Sequence, residues 1–289
     1  MLPKFEMLMP ETLPEALEAL QANAPGAAPV AGGTNLIPDL RSRRHTPALV
    51  VNVTGLDKLQ GIREENGSLI LGGCVTLAEV LRNPLVAEHA PVLRAAAALF
   101  ANPLIRNRAT VGGNLADASP AADTAPPLLV LDAVVELQSV SGTRVVPLDD
   151  FFVHVRRTVR VPGELLTAIH FPKLGSESGT AFHKVGLRKA DAISVLSVAV
   201  RVDRDEDGVC TAARIALGAV APRPLRARAA ETLLEGEPLT EELIAEAARL
   251  AGEASQPIDD IRGPADYRRR VVEALVRRMM TQTWSALAQ

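Results

Sequence analysis

The stretch Val30-Ala31-Gly32-Gly33-Thr34-Asn35-Leu36 places a glycine pair between an apolar run, which predicts a buried strand, and a short helix predicted at 36–41. Glycine permits positive φ angles and a close approach of the backbone to a ligand. Successive backbone N–H groups in such a turn can form a concave anion site, and the helix start adds the attraction of its dipole. Thr34 and Asn35 supply side-chain donors. We therefore predict an anion-binding turn here.

A second glycine pair stands in Thr110-Val111-Gly112-Gly113-Asn114-Leu115, again beside threonine and asparagine. In the small, apolar segment that follows, Asp123 is a carboxylate for which a ribose or ribityl hydroxyl is a natural partner. For either pair alone, an ordinary tight turn is the better-supported interpretation. The chain has neither the Gly-x-Gly-x-x-Gly fingerprint nor a P-loop lysine motif, so no motif indicates an ordinary NAD site or a nucleoside triphosphatase.

The composition argues against several classes of protein. The net charge is −3 and only 3% of the residues are aromatic, so no nucleic-acid surface is expected. No run approaches the roughly 18 apolar residues of a membrane span, and the N-terminus lacks the features of a signal peptide, so a cytoplasmic protein is expected. The two cysteines, Cys74 and Cys210, are too few for an iron–sulfur cluster and are expected to be free thiols. The histidines show no metal-ligand spacing, so no metal site is predicted.

The elements predicted along the chain favour an α+β fold. Thr12 with Glu15, and Thr76 with Glu79, form capping-box patterns that open helices, and Asn66-Gly67 predicts a hairpin. The segment 109–127 is predicted to be a loop of small residues. Beyond about residue 175 the pattern predicts three strands, at 181–187, 195–202 and 211–220, and then helices, at 225–234, 240–251 and 264–287. This order indicates a separate C-terminal domain.

Taken together, these segments resemble a known family. Ala31-Gly-Gly-Thr-Asn-Leu-Ile-Pro38 resembles the first FAD-pyrophosphate loop of the molybdenum hydroxylase flavoproteins, and Ile105 to Ala116 resembles their second loop. Ala118-Ser-Pro-Ala-Ala-Asp-Thr-Ala-Pro126 is similar to the segment that follows it, and Asp266-Tyr-Arg-Arg-Arg270 is similar to the closing helix. These proteins are the FAD-binding medium subunits or domains of the xanthine dehydrogenase, carbon monoxide dehydrogenase and 4-hydroxybenzoyl-CoA reductase group.

The resemblance implies the FAD-binding fold of vanillyl-alcohol oxidase, also called the PCMH type. Two α+β subdomains would clasp the cofactor, and a C-terminal domain of a three-stranded antiparallel sheet and helices would follow. On this chain the three parts are expected at residues 1–55, 56–175 and 176–289.

The resemblance also implies roles for individual residues. The two loops would wrap the pyrophosphate, Phe100 would lie near the flavin, Asp123 would bind the sugar-like portion of FAD, Leu166 would pack beside the isoalloxazine, and Lys184 would sit near its polar edge. No catalytic side chain is expected, because the cofactor carries the chemistry. The cofactor-binding set is Val30, Ala31, Gly32, Gly33, Thr34, Asn35, Leu36, Ile37, Phe100, Ile105, Thr110, Val111, Gly112, Gly113, Asn114, Asp123, Leu166 and Lys184.

The sequence departs from the family pattern at a few places. Asn35 replaces the commoner aspartate, and Ala122 stands where glycine is common. The flavoprotein of 4-hydroxybenzoyl-CoA reductase carries an inserted cysteine-rich loop for a [4Fe–4S] cluster, whereas the segment from Asn114 to Pro126 has no insertion. The closing Tyr-Arg-Arg-Arg pattern resembles that branch, but its extra cluster is not expected.

By resemblance, the chain is an electron-transfer subunit and not the place where substrate is oxidised. A large subunit with the molybdenum cofactor and a small subunit with two [2Fe–2S] clusters would complete the complex, as a dimer of heterotrimers. Electrons would pass through the clusters to FAD and on to NAD⁺, a quinone or another acceptor. Arg106 and Arg108 could raise the flavin potential or contact a partner, or be ordinary solvated arginines.

Two other functions are compatible with a glycine-rich cofactor site in this sequence. A stand-alone flavin oxidoreductase of the same fold would need its own catalytic base and a substrate-capping domain. The C-terminal region is too small and too helical for such a domain. The second alternative is a non-redox nucleotide-binding scaffold subunit. The two intact loops argue against it, because a subunit that had lost its redox function would not need both.

Overall fold

The computed structural model describes residues 2–188 and 191–288. Three parallel strands form the first sheet, with β3 between β1 and β2. The elements are β1 (Glu6–Leu8), α1 (Leu13–Ala22), β2 (Ala27–Val30), α2 (Leu36–Arg41) and β3 (Leu49–Asn52). Thr12 caps α1 as predicted, because its hydroxyl accepts from the Glu15 N–H at 3.3 Å. The Glu15 carboxylate accepts from the N–H of Glu11, at 2.9 Å, and not from Thr12.

The second sheet is antiparallel and has the strand order β4-β5-β10-β6-β7. Its strands are β4 (Ile62–Glu65), β5 (Ser68–Gly72), β6 (Val134–Ser139), β7 (Gly142–Pro147) and β10 (Leu165–Pro172). The predicted hairpin is confirmed, since Asn66 and Gly67 join β4 to β5 with φ angles of 50° and 77°. Between β7 and β10 lie α9 (Leu148–Phe151) and a hairpin of β8 (Phe152–His154) and β9 (Arg157–Thr158).

Six helices connect β5 to β6, and they share one hydrophobic core with the second sheet and with one face of the C-terminal sheet. They are α3 (Leu77–Arg82), α4 (Pro84–His89), α5 (Pro91–Leu99), α6 (Pro103–Arg106), α7 (Val111–Asp117) and α8 (Ala125–Val130). The capping box of Thr76 and Glu79 is confirmed. The prediction of a loop at 109–127 is wrong, because Thr110 caps α7 and Pro126 stands in the first turn of α8. Glycine destabilises a helix interior, but the close packing of α7 within the core compensates for that cost here.

The C-terminal part is an antiparallel sheet covered by helices. The three predicted long strands are confirmed as β11 (Ser178–Gly186), β12 (Ser194–Arg204) and β13 (Cys210–Gly218), and a two-residue strand, β14 (Leu225–Arg226), extends the sheet beside β13. The helix predicted from residue 225 therefore begins later, as α10 (Arg228–Leu234). Helices α11 (Glu241–Ala254) and α12 (Ala265–Ala286) follow. No helix in the described ranges is both long and apolar enough to cross a membrane.

Asp132 joins the second sheet region to the C-terminal sheet. Its carboxylate accepts from Arg226 at 2.7 Å and from Arg214 at 3.0 Å. Arg226 is almost wholly buried, and its guanidinium also pairs with Glu231 at 2.5 Å. A buried charge needs such partners to offset its lost hydration. This network fixes the C-terminal part against the part that carries the two glycine pairs. The division at residues 55 and 175 stays a prediction.

Candidate functional site

A cavity of about 650 Å³ opens where the first and second sheets meet. Both glycine pairs line it, although some 80 residues of chain separate them. The predicted residues that line the cavity are Val30, Ala31, Gly32, Gly33, Thr34, Asn35, Leu36, Phe100, Thr110, Gly112, Gly113, Asn114 and Leu166. Its volume lies within the range of about 300–1,000 Å³ that is typical of cofactor and small-molecule sites.

The first glycine pair leaves a row of backbone donors unused. The N–H groups from Gly32 to Leu36 donate no hydrogen bond to any described residue, whereas the next one, that of Ile37, donates to the carbonyl of Gly33 at 3.0 Å. Gly33 has a φ of 69°, which turns the chain so that these groups follow one another around the cavity wall. Five backbone donors without a partner, on residues that line the cavity, are what the predicted anion site requires.

Gly32 is required by packing. A Cβ atom at this position would lie 1.9 Å from the carbonyl oxygen of Arg108 and 3.1 Å from the Cα of Ala109. Both neighbours are backbone atoms and cannot rotate away. The residue therefore brings the first glycine pair directly against the segment that precedes α7.

The second glycine pair plays a different part from the first. It forms the first turn of α7, and its N–H groups already have partners: Gly112 donates to the Gly73 carbonyl at 3.2 Å, and Gly113 donates to the Thr110 hydroxyl at 3.0 Å. A Cβ on Gly112 would lie 2.5 Å from the Gly73 oxygen. Gly112 and Gly113 therefore offer no free backbone donor, and they let α7 pack against Gly73 at the cavity wall. That the second loop wraps the pyrophosphate stays a prediction.

Asp123 and Lys184 lie outside the cavity lining and pair with each other. The Lys184 ammonium donates to Asp123 Oδ2 at 2.5 Å and to the Leu99 carbonyl at 3.4 Å. The Ser194 hydroxyl donates to Asp123 Oδ1 at 2.5 Å. Burial raises the pKa of Asp123, and the charge of Lys184 and both hydrogen bonds oppose that rise. Ser194 was not predicted, and no sequence motif marks it.

The other predicted residues outside the lining support the cavity wall. Val111 is fully buried in the core of the second sheet, and Ile105 packs against that core. The Ile37 side chain lies beneath Gly33, at 3.2 Å from the position that a Cβ atom on Gly33 would take. Arg106 donates to the carbonyl of Phe100 at 2.8 Å and so holds the turn that presents this aromatic ring.

The sequence did not reveal a charged group at the cavity wall. Asp39, Asp117 and Arg156 all line the cavity, and Arg156 donates to Asp39 at 2.6 Å and lies 3.3 Å from Asp117. Arg44 lies 3.3 Å from Asp39. Because these residues come from α2, α7 and the hairpin of β8 and β9, only the folded chain brings them together.

Arg160 is a further cation of the cavity wall. Its guanidinium donates to the Glu164 carbonyl at 2.8 Å, and no carboxylate oxygen of the described residues lies within 4.0 Å of it. Burial lowers its pKa, although Glu164 opposes this. Arg160 is therefore a third arginine of the cavity wall besides Arg44 and Arg156, which suits an anionic ligand.

Cys74 lines the cavity as a buried thiol, and burial raises its pKa to about 12. Cys210 is buried elsewhere, and burial raises its pKa to about 12 as well. Since the thiolate is the reactive form, we expect both cysteines to react with a disulfide reagent at pH 8 at least about 100-fold slower than a free thiol. Two thiols should become reactive when urea unfolds the chain. Fast reaction of the folded protein would contradict this placement.

Comparisons with known proteins agree with this architecture. A family model described as the FAD-binding domain in molybdopterin dehydrogenase matches residues 3–174, and one described as the CO dehydrogenase flavoprotein C-terminal domain matches residues 181–283. The 6-hydroxypseudooxynicotine dehydrogenase complex subunit alpha of Paenarthrobacter nicotinovorans is 33% identical over 97% of this chain and 94% of its own length. The carbon monoxide dehydrogenase medium chain of Hydrogenophaga pseudoflava is 31% identical over 99% of both.

Solved structures show the same likeness in three dimensions. A chain of carbon monoxide dehydrogenase from Hydrogenophaga pseudoflava superimposes with a TM-score of 0.95 at 32% identity and covers 99% of each chain. A chain of quinoline 2-oxidoreductase from Pseudomonas putida 86 superimposes with a TM-score of 0.92 at 31% identity over the full length of both.

Proposed function

The chain belongs to the family of FAD-binding subunits of molybdenum hydroxylases, and from this premise we propose that it relays electrons within a heteromeric complex. The [2Fe–2S] clusters of a small partner subunit would supply the electrons, and NAD⁺, a quinone or another external acceptor would receive them. A large partner subunit with the molybdenum cofactor would carry out the reaction at the substrate. The observation that carries this proposal is the row of five free N–H groups on residues that line a cavity of about 650 Å³.

The residues of the cavity fit FAD. The free donors from Gly32 to Leu36 suit a pyrophosphate, because each charge-assisted hydrogen bond contributes about 1.5–3 kcal/mol. Apolar lining at Phe100 and Leu166 suits a flat aromatic ring. When bound, FAD supplies the redox chemistry, and the protein positions it and excludes water.

We assign the remaining predicted residues by their contacts. Lys184 lies behind the residues that line the cavity, and its ammonium uses two of its three protons on Asp123 and Leu99; we assign the third to the polar edge of the isoalloxazine. The Asp123 carboxylate keeps unused lone pairs for a ribityl hydroxyl, since ionised carboxylate oxygens accept about four bonds in all. No side chain is assigned as an acid or base.

The partners are proposed from the names of the relatives. Several are called medium chains or medium subunits, and one is called the alpha subunit of a complex. For this chain we propose a large and a small partner subunit, assembled as a dimer of heterotrimers. The chain's own exposed apolar side chains near the cavity, Leu99 and Leu104, are available for contact.

This proposal can be tested by expressing the chain alone and together with the genes that neighbour its own, and then by measuring bound FAD and co-purifying subunits. We expect a yellow protein with one FAD per chain, and we expect two further subunits, one with molybdenum and one with iron, to co-purify. A colourless chain that binds no FAD in titrations would contradict the cofactor assignment. A yellow chain that forms no complex would favour a stand-alone flavoenzyme.

A further inference from the structure

Asp117 is a carboxylate of the cavity wall with one oxygen left without a partner. It is the last residue of α7, and its side chain is 15% exposed. Oδ1 lies 3.3 Å from Arg156, whereas Oδ2 is buried and has no hydrogen-bond partner. An unpaired buried acceptor is costly and is rare in folded proteins. A donor from a ligand in the cavity would satisfy it.

The surroundings hold this carboxylate in place. Arg156 is anchored by Asp39 at 2.6 Å, and Asp39 is in turn contacted by Arg44 at 3.3 Å. Burial raises the pKa of Asp117, and Arg156 and then the Asn35 side chain oppose this rise. Asn35 therefore lies close to Asp117, but no donor of the described residues makes a hydrogen bond of normal geometry to Oδ2. The free oxygen belongs to a carboxylate that lies near Asn35, two residues beyond the first glycine pair.

On the basis of the proposed FAD site, we infer that Asp117 accepts a hydrogen bond from a ribose hydroxyl of the adenosine half of FAD. FAD carries donors at the ribose, the ribityl chain, the adenine amino group and the flavin N3–H. The groups assigned to the flavin end, Lys184 and Asp123, share no contact with Asp117. The flavin and the adenosine lie on opposite sides of the pyrophosphate, so the Asp117 group faces the adenosine.

The position of Asp117 beside the first glycine turn supports this choice. Asn35 belongs to the row of free donors that we propose holds the pyrophosphate, and its side chain lies close enough to Asp117 to oppose the rise of that carboxyl's pKa. Asp117 is therefore within reach of a sugar that adjoins the pyrophosphate. Asp39 lines the same cavity and binds the same arginine, but both of its oxygens already have partners. Of these two carboxylates, only Asp117 has an oxygen free to accept a hydrogen bond from the adenosine half of FAD. FMN has no adenosine half, so this bond would favour the dinucleotide.

Titration of the full-length apoprotein with FAD, FMN, ADP and 2′- and 3′-deoxy-ADP tests the inference. We expect Asp117→Ala to weaken FAD and ADP binding about tenfold or more, as loss of a hydrogen bond to a charged group does, and to leave FMN binding unchanged. One deoxy-ADP should bind the unaltered chain more weakly than ADP, and this difference should vanish in Asp117→Ala. Asp39→Asn is the matched control and should weaken FAD and FMN to a similar, small extent.

Two results would overturn the inference while leaving the FAD site intact: an Asp117→Ala variant that binds FAD as tightly as the unaltered chain does, or one that loses FAD and FMN affinity equally. Equal binding of ADP and both deoxy-ADPs would also exclude the ribose hydroxyls. If the unaltered chain binds neither FAD nor FMN, the proposed function itself fails. That failure can be told from failure of the inference, because it is seen with the unaltered chain alone and the inference is tested only by comparing variants.

Discussion

Replacing Gly32 with alanine is expected to lower FAD affinity at least about 100-fold and to destabilise the fold by about 3 kcal/mol. The added Cβ would lie 1.9 Å from the Arg108 carbonyl oxygen, so one of the two backbone segments must move. Overpacking of this kind costs about 1–3 kcal/mol or more. The same shift would misalign the five free N–H donors from Gly32 to Leu36, and losing two such bonds accounts for the drop in affinity.

Gly55→Ala is the matched control for this prediction. No atom lies within 4 Å of its added Cβ, and Gly55 does not adopt a positive φ. We expect this variant to bind FAD normally and to unfold in urea at nearly the same concentration as the unaltered chain. Normal FAD affinity in Gly32→Ala would show that the first glycine pair does not hold the cofactor.

Replacing Lys184 with methionine is expected to destabilise the chain by about 3–5 kcal/mol. The ammonium lies 2.5 Å from Asp123, and both side chains are nearly buried, so the change leaves an uncompensated carboxylate in the interior. Burial then dominates, and the pKa of Asp123, already raised, should rise further. Because a raised carboxyl pKa costs stability above the unfolded value, the loss should grow as pH rises above about 4. Urea unfolding from pH 4 to 8 measures this.

The chain offers a matched surface pair as the control. Lys173 lies 2.5 Å from Glu64, the same separation, but its side chain is 28% exposed and that of Glu64 is 41% exposed. Lys173→Met should therefore cost no more than about 1 kcal/mol. A double variant, Asp123→Leu with Lys184→Met, should recover stability because no buried charge remains. Equal effects of the two lysine variants would argue that the Asp123 pair is not a buried ion pair.

Local patterns in the sequence predicted much of the fold. The capping threonines Thr12 and Thr76 mark helix starts, and Asn66-Gly67 marks a hairpin, because each acts on atoms a few residues away. The family of the chain followed from two glycine motifs and their flanks. The first motif also predicted free donors, since Gly33 needs only its own positive φ and the turn that follows.

The rest depended on contacts between distant segments. The donors of Gly112 and Gly113 are consumed by Gly73 and Thr110, and the sequence alone cannot show that pairing with residue 73. Helix α7 forms in a segment of small residues because burial compensates for weak helix propensity. Asp117 was missed for a similar reason, since its partner Arg156 lies in a hairpin that no motif connects to α7.

Anaerobic reduction of the flavin tests the central claim most directly. The complex, purified with its large and small subunits, would be mixed with candidate substrates of the molybdenum subunit, and the flavin absorption would be followed. We predict that the flavin bleaches only when all three subunits and a substrate are present, and that an acceptor restores its colour. Bleaching of the isolated chain by a small organic substrate would contradict the account, because this chain would then oxidise substrate by itself.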